Sequence, residues 1–215
     1  MDHSQRLDLI RQTGVIAIMR AKSSDQLLAA AEAIREGGVT VIEFTMTTPF
    51  ALDMIHEAAK TMPKDVLLGA GTVLDPETCR AVILAGAQFV VSPTLNPKVI
   101  EMCQRYSKIV VPGALTPTEI LTAWECGADI VKVFPASLGG PAYFKDVLAP
   151  LPQIRLIPTG GVDLKTTPEF IKAGACAVAV GGNLVDRKAV AEGRFEQITE
   201  TARKFVEAVK SARGK

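Results

Sequence analysis

The sequence predicts an α/β protein of the (β/α)8 TIM-barrel class, with residues 1–215 forming one domain. Three observations carry that expectation. Eight short apolar runs recur at near-regular intervals, each followed by a turn and an amphipathic stretch. Hydrophobic residues make up 48% of the chain and aromatic residues only 5%, so the core must be built from Val, Ile, Leu and Ala. Such a core suits helices packed on a buried parallel sheet, whose strands are continuous apolar runs. The length of 215 residues fits a barrel at the small end of its range. A doubly wound open sheet is disfavoured, because no G-x-G-x-x-G follows the first apolar run.

The elements follow in order. The opening stretch MDHSQRLDLIRQTG is polar and amphipathic, and predicts a short helix without the apolar segment of a signal or membrane anchor. The first strand is VIAIM (15–19), which runs into Arg20. The helical pattern DQLLAAAEAIREGG leads to the second strand, VTVIEFT (39–45). VLLGA (66–70), FVVS (89–92), IVVPG (109–113), IVKVFP (130–135), IRLIPTGG (154–161) and AVAVGG (177–182) supply the other six. The intervening patterns, such as PETCRAVILAGA, TPTEILTAWECGA and TPEFIKAGA, end in Gly or Gly-Ala just before the next run, as helix C-caps do. FEQITETARKFVEAVKSARGK predicts a closing helix with a basic end.

Charge and cysteine content exclude several classes. Twenty-four Lys and Arg against 23 Asp and Glu give a net charge of +1, which offers no footprint for nucleic acid or a membrane surface. Cys79, Cys103, Cys126 and Cys176 have no C-x-x-C spacing, and only His3 and His56 could join them. A zinc site is therefore not expected; buried free thiols in a reducing, cytoplasmic setting are.

In a barrel of this class, chemistry sits where strands end, so polar residues inside apolar strands are the informative ones. Lys132 lies in Ile130-Val131-Lys132-Val133-Phe134, in phase with Ile130 and Phe134. Burial disfavours its ammonium form and makes the neutral amine available as a nucleophile. Glu43, in phase with Val41 and Thr45, should have its pKa raised by burial and lowered by a nearby cation, poising it for acid/base work. A structural pairing of these two charges is the alternative. Arg20 is in phase with Ile16 and Ile18, and its guanidinium suits a carboxylate or phosphate at the mouth. In Gly69-Ala70-Gly71-Thr72, small residues let backbone approach a ligand and the Thr72 hydroxyl can bond a carboxylate. Thr159-Gly160-Gly161 and Gly181-Gly182-Asn183 follow the seventh and eighth strands, where barrels often hold phosphate on backbone N–H groups.

VIEFT with Glu43, Gly69-Ala-Gly-Thr-Val73, Ser92-Pro93, Pro112-Gly113, Lys132-Val-Phe-Pro135 and Pro158-Thr-Gly-Gly161 occur in that order. On these motifs, from about Ile10 to the C-terminal helix, the chain resembles the class I 2-keto-3-deoxy-6-phosphogluconate (KDPG) and 4-hydroxy-2-oxoglutarate (KHG) aldolases. The resemblance implies that Lys132 forms the Schiff base and Glu43 is the general acid/base. It implies that Thr72 contacts the pyruvyl carboxylate, that Pro93 and Phe134 wall the imine, and that Thr159, Gly160, Gly161, Gly181 and Gly182 lie at the distal phosphate. It also implies a small keto-acid substrate, no cofactor or metal, and a homotrimer.

The sequence departs from the family pattern in two places. Many members carry an arginine where Thr47 stands; a subgroup has one at the end of the first strand instead, and Arg20 matches it, so the carboxylate contact passes to Arg20. Many also have a serine after the strand-eight glycine, where this chain has Gly182, which weakens the expectation of a phosphorylated substrate. The alternatives are a phosphate-binding barrel isomerase or synthase without imine chemistry, and a non-catalytic ligand-binding barrel.

Overall fold

A computed structural model describes residues 1–20 and 24–214. Strands and helices alternate as the apolar runs foretold. The strands are β1 (Val15–Met19), β2 (Val41–Thr45), β3 (Leu67–Gly71), β4 (Phe89–Val91), β5 (Ile109–Val111), β6 (Gly113–Ala114), β7 (Val131–Val133), β8 (Leu156–Pro158) and β9 (Val178–Val180). All pairings are parallel: one curled sheet has the order β5-β4-β3-β2-β1-β9, and a smaller one the order β6-β7-β8.

The eight expected runs thus become nine segments, because the fifth breaks at Pro112. Proline has no N–H to give the ladder, although Pro112 O still accepts from Lys132 N at 2.9 Å. Two further backbone links join the sheets: Asp129 N donates to Val110 O (3.2 Å), and Thr159 bridges to Ala179.

Period-two alternation sorts the strand residues into two apolar layers. Ile16, Ile18, Val41, Leu67, Phe89, Val91, Ile109, Val111, Ile130, Ile157 and Ala179 form an inner cluster shared by both sheets. Their neighbours, such as Val15, Ala17, Met19, Ile42 and Phe44, face the helices. Burying a side chain of this size stabilises by about 1.5–3 kcal/mol, so a one-residue register slip would forfeit several such terms at once.

The helices are α1 (His3–Thr13), α2 (Ser24–Glu36), α3 (Ala51–Thr61), α4 (Pro76–Ala85), α5 (Pro97–Arg105), α6 (Pro117–Glu125), α7 (Gly140–Leu148), α8 (Thr166–Lys172), α9 (Arg187–Ala191) and α10 (Phe195–Ala212). A capping box starts α1: Asp2 accepts from Gln5 N and the Gln5 side chain accepts from Asp2 N. Ile10 then buries against the inner cluster, with Leu7 and Leu9 beside it, and His3 Nε2 lies 2.7 Å from Asp129 Oδ1. At the end of α4, Gly86 takes φ 122°, a conformation costly for other residues, and its N–H reaches Val82 O and Ile83 O. The closing helix α10 buries Ile198, Ala202, Phe205 and Val209, the one-face spacing of an amphipathic helix, and packs on α2 and α8.

Two expectations needed correction. The last strand, β9, is followed by two helices, α9 and α10, because Asp186 caps a separate turn by accepting from Ala189 N. All four cysteines are free, but only Cys79 and Cys103 are fully buried, with their Sγ atoms 3.4 Å apart; Cys126 and Cys176 are half-buried. Among the described residues, no helix is long and apolar enough to cross a membrane.

Candidate active site

Lys132 sits at the centre of β7, in phase with Ile130, and only 6% of it is exposed. Glu43, at the centre of β2, is 2% exposed and aligned with Ile18 on β1 and Gly69 on β3. Neither faces the helix layer. The space for the carboxylate comes from β3: a Cβ on Gly71 would stand 1.7 Å from Glu43 Oε1. One residue pair earlier, a Cβ on Gly69 would strike the Phe89 ring at 2.3 Å. The glycines expected to admit a ligand therefore admit Glu43 and Phe89.

Burial dominates the electrostatics of the pair. It pushes the Glu43 carboxyl above its usual range, against the opposing pull of Lys132 and Arg20. It pushes the Lys132 amine below its usual range; Arg20 adds to that and Glu43 opposes it. The Lys132 Nζ lies 5.0 Å from the centroid of the Phe134 ring, a contact that favours the ammonium and so opposes burial. A neutral amine is a nucleophile toward carbonyl carbon, and a carboxyl raised above its usual range can both give and take protons.

Two buried side-chain atoms have no hydrogen-bond partner among the described residues, Glu43 Oε2 and Thr159 Oγ1. Leaving a buried polar atom unpaired costs about 1–3 kcal/mol. Such atoms are uncommon and mark places where a ligand or water docks. Both belong to residues singled out from the sequence.

The remaining candidates are set around this pair. Thr72 holds φ 59° in the left-handed region, a strain of about 1–3 kcal/mol for such a residue. Its neighbours hold it there: Gly71 O accepts from Met46 N (2.8 Å), Val73 N donates to Val91 O (3.2 Å), and Ser92 Oγ donates to Val73 O (2.5 Å). Pro93 is half-buried, and a Cβ on Gly113 would stand 2.3 Å from its carbonyl. Phe134 is 37% exposed and lies beside Gly160, whose Cβ would be 3.6 Å from its ring. Thr159 O accepts from Ala136 N at 2.8 Å, joining the two strand ends.

Gly160 and Gly161 take φ 90° and 75°, whereas Gly181 and Gly182 have open space on the side of a Cβ. Arg20 is exposed at the end of β1 and lines a cavity of about 510 Å3 that Lys132 and Glu43 do not line. Ser92, Gly113 and Asn183 stood in motifs read from the sequence, but the contacts they make were not legible there; Asn183 Nδ2 donates to Val162 O at 2.7 Å and ties the loops after β8 and β9 together. Their roles depend on contacts between distant segments, which only the motif order Ser92-Pro93 and Pro112-Gly113 hinted at. Among the described residues, no cluster of three His, Cys, Asp or Glu could hold a metal ion.

A parallel α/β fold with a buried amine and carboxylate in the inner layer of its strands suits carbonyl chemistry, and the comparisons place the chain among the aldolases, a class of lyases. A family model for KDPG and KHG aldolase matches residues 7–201, and the chain belongs to that family. It is 35% identical over 204 residues to the 2-dehydro-3-deoxy-phosphogluconate aldolase of Treponema pallidum, covering 94% of this chain and 96% of that one. It is 32% identical over 197 residues to the KHG/KDPG aldolase of Escherichia coli K12, covering 91% and 92%. The crystal structure of the Legionella pneumophila KDPG aldolase, with pyruvate captured at low pH as a covalent carbinolamine intermediate, superposes with a TM-score of 0.87. That protein is 29% identical, over 93% of this chain and 97% of its own.

Proposed function

We propose that this chain is a class I aldolase that cleaves KDPG to pyruvate and glyceraldehyde 3-phosphate, or KHG to pyruvate and glyoxylate. The observation that carries the proposal is the buried Lys132, its amine shifted toward the neutral form by burial, sharing the inner layer with a Glu43 whose Oε2 lacks a partner among the described residues. Neutral Lys132 attacks the C2 ketone, and Glu43 supplies the proton with which the carbinolamine loses water. The protonated imine then serves as the electron sink. Glu43, directly or through a water, takes the C4-hydroxyl proton; the C3–C4 bond breaks, its electrons move to the iminium nitrogen, and the aldehyde leaves. Protonation of the enamine at C3 and hydrolysis return pyruvate and the free lysine.

In this proposal Arg20 and Thr72 hold the keto-acid carboxylate, and Pro93 and Phe134 wall the imine. Thr159, Gly160, Gly161, Gly181 and Gly182 receive the distal end of the substrate. The open space at Gly181 and Gly182 supports that placement, as does the unpaired Thr159 hydroxyl. The two sheets are taken as one closed eight-stranded barrel in a single domain, supported by the chain running from β5 through Pro112 into β6 and by the Thr159–Ala179 bridge. Family resemblance supports a homotrimer, and the four free cysteines support a reducing, cytoplasmic setting. The proposal is tested by assaying pyruvate release from both substrates. Wild type should release pyruvate from at least one, and Lys132→Ala should lose that activity; an unimpaired Lys132→Ala enzyme would exclude imine catalysis.

A further inference from the structure

Of the residues given to either end of the substrate, the cavity beside Arg20 is lined by Arg20 alone. It is a groove between α2 and α9, with Gln26 on one wall, Arg187 on the other and Val190 at its buried base. Thr47 and Thr48 close it from the loop after β2, and both hydroxyls share hydrogen bonds with Thr45 Oγ1, at 3.1 and 3.3 Å. The groove is thereby anchored to the strand that carries Glu43.

Two guanidiniums line this one cavity of about 510 Å3. Neither forms an ion pair with a carboxylate among the described residues. Like charges gathered in a concave, partly apolar space repel, and an anion between them relieves that repulsion while accepting charge-assisted hydrogen bonds. Hydroxyl and amide groups around an apolar base complete the usual make-up of a small-ligand site.

We propose that the groove between α2 and α9 binds a free small oxyanion of the phosphate type on Arg20 and Arg187, and that its occupancy competes with the keto acid. The competition follows from sharing: a guanidinium turned toward an anion in the groove is withdrawn from the substrate carboxylate. This second step rests on the aldolase proposal for Arg20; the anion site itself does not. The effect belongs in KM, since Lys132 and Glu43 do not line the groove.

The test uses inorganic phosphate as the probe and KHG, which carries no phosphate, as the substrate. Calorimetry should detect phosphate binding to the wild type, and at least about ten-fold weaker binding to Arg187→Gln, the loss expected for one charge-assisted contact. Phosphate should raise the wild-type KM for KHG with kcat unchanged, and Arg187→Gln without phosphate should keep its basal kcat/KM. Absent binding to the wild type, or equal affinity in Arg187→Gln, would overturn the site. A selective loss of kcat/KM for KDPG in Arg187→Gln would also overturn it, because the groove would then hold the phosphate of the substrate. Borohydride trapping of pyruvate, run in parallel, reports separately on the imine proposal.

Discussion

At the scale of single residues, Lys132 is governed by two neighbours that act in opposite senses. Glu43 stabilises its ammonium, and Arg20 destabilises it. Replacing Arg20 with Gln removes a cation, so the Lys132 pKa rises and the acid limb of kcat/KM moves to higher pH. Replacing Glu43 with Gln removes the counter-charge, so the Lys132 pKa falls further and that limb moves to lower pH. Turnover in Glu43→Gln should also drop by about a hundredfold or more, the range for a lost acid/base group. pH–rate profiles of the two variants check both signs, and shifts in the same direction would contradict the electrostatic account. Gly71→Ala is a further probe, because its backbone lies outside the left-handed region and the added methyl would meet Glu43. It should lower kcat toward the Glu43→Gln level, at a stability cost of about 1–3 kcal/mol for overpacking; an unchanged kcat would free Gly71 from that role.

At the scale of elements, the two loops expected to receive the distal end of the substrate differ in how they can be tested. Any side chain at Gly161 meets Ser137 at 2.7 Å and sits at φ 75°, so a variant there confuses strain with lost binding. Gly182 has open space and no positive φ. Gly182→Leu should therefore fold normally and lower kcat/KM for KDPG while sparing KHG; equal losses on both substrates would mean that this loop is no phosphate site. The strands were legible because continuous apolar runs and glycine caps are local signals, and so were Lys132 and Glu43, polar residues in apolar runs. The split at Pro112, the separate α9 and the Asn183 tie were not, because each depends on which distant segment supplies a partner. Arg187 was silent for the same reason: in Asp186-Arg187-Lys188 it looks like one more surface charge, and only packing brings it to the cavity of Arg20.

At the scale of the whole molecule, a buried amine and carboxylate are carried at the expense of stability. Lys132 has a folded pKa below its unfolded value, so its contribution falls as pH drops through the folded pKa. Glu43 has a folded pKa above its unfolded value, so its contribution is lost as pH rises through the folded pKa. Replacing both by apolar residues of similar volume in Glu43→Leu/Lys132→Met removes both penalties. Such replacements are neutral to stabilising by about 1–4 kcal/mol, or about 2–4 °C in Tm per kcal/mol for a chain of this size. Calorimetric melting checks it, and a lower Tm in the double variant would mean that the pair holds the fold together. The most direct test of the central claim is covalent. Incubation with pyruvate and borohydride, followed by peptide mass mapping, should place one reduced adduct on Lys132 and none in Lys132→Ala. An unmodified Lys132 peptide from an enzyme that is turning over substrate would contradict the account.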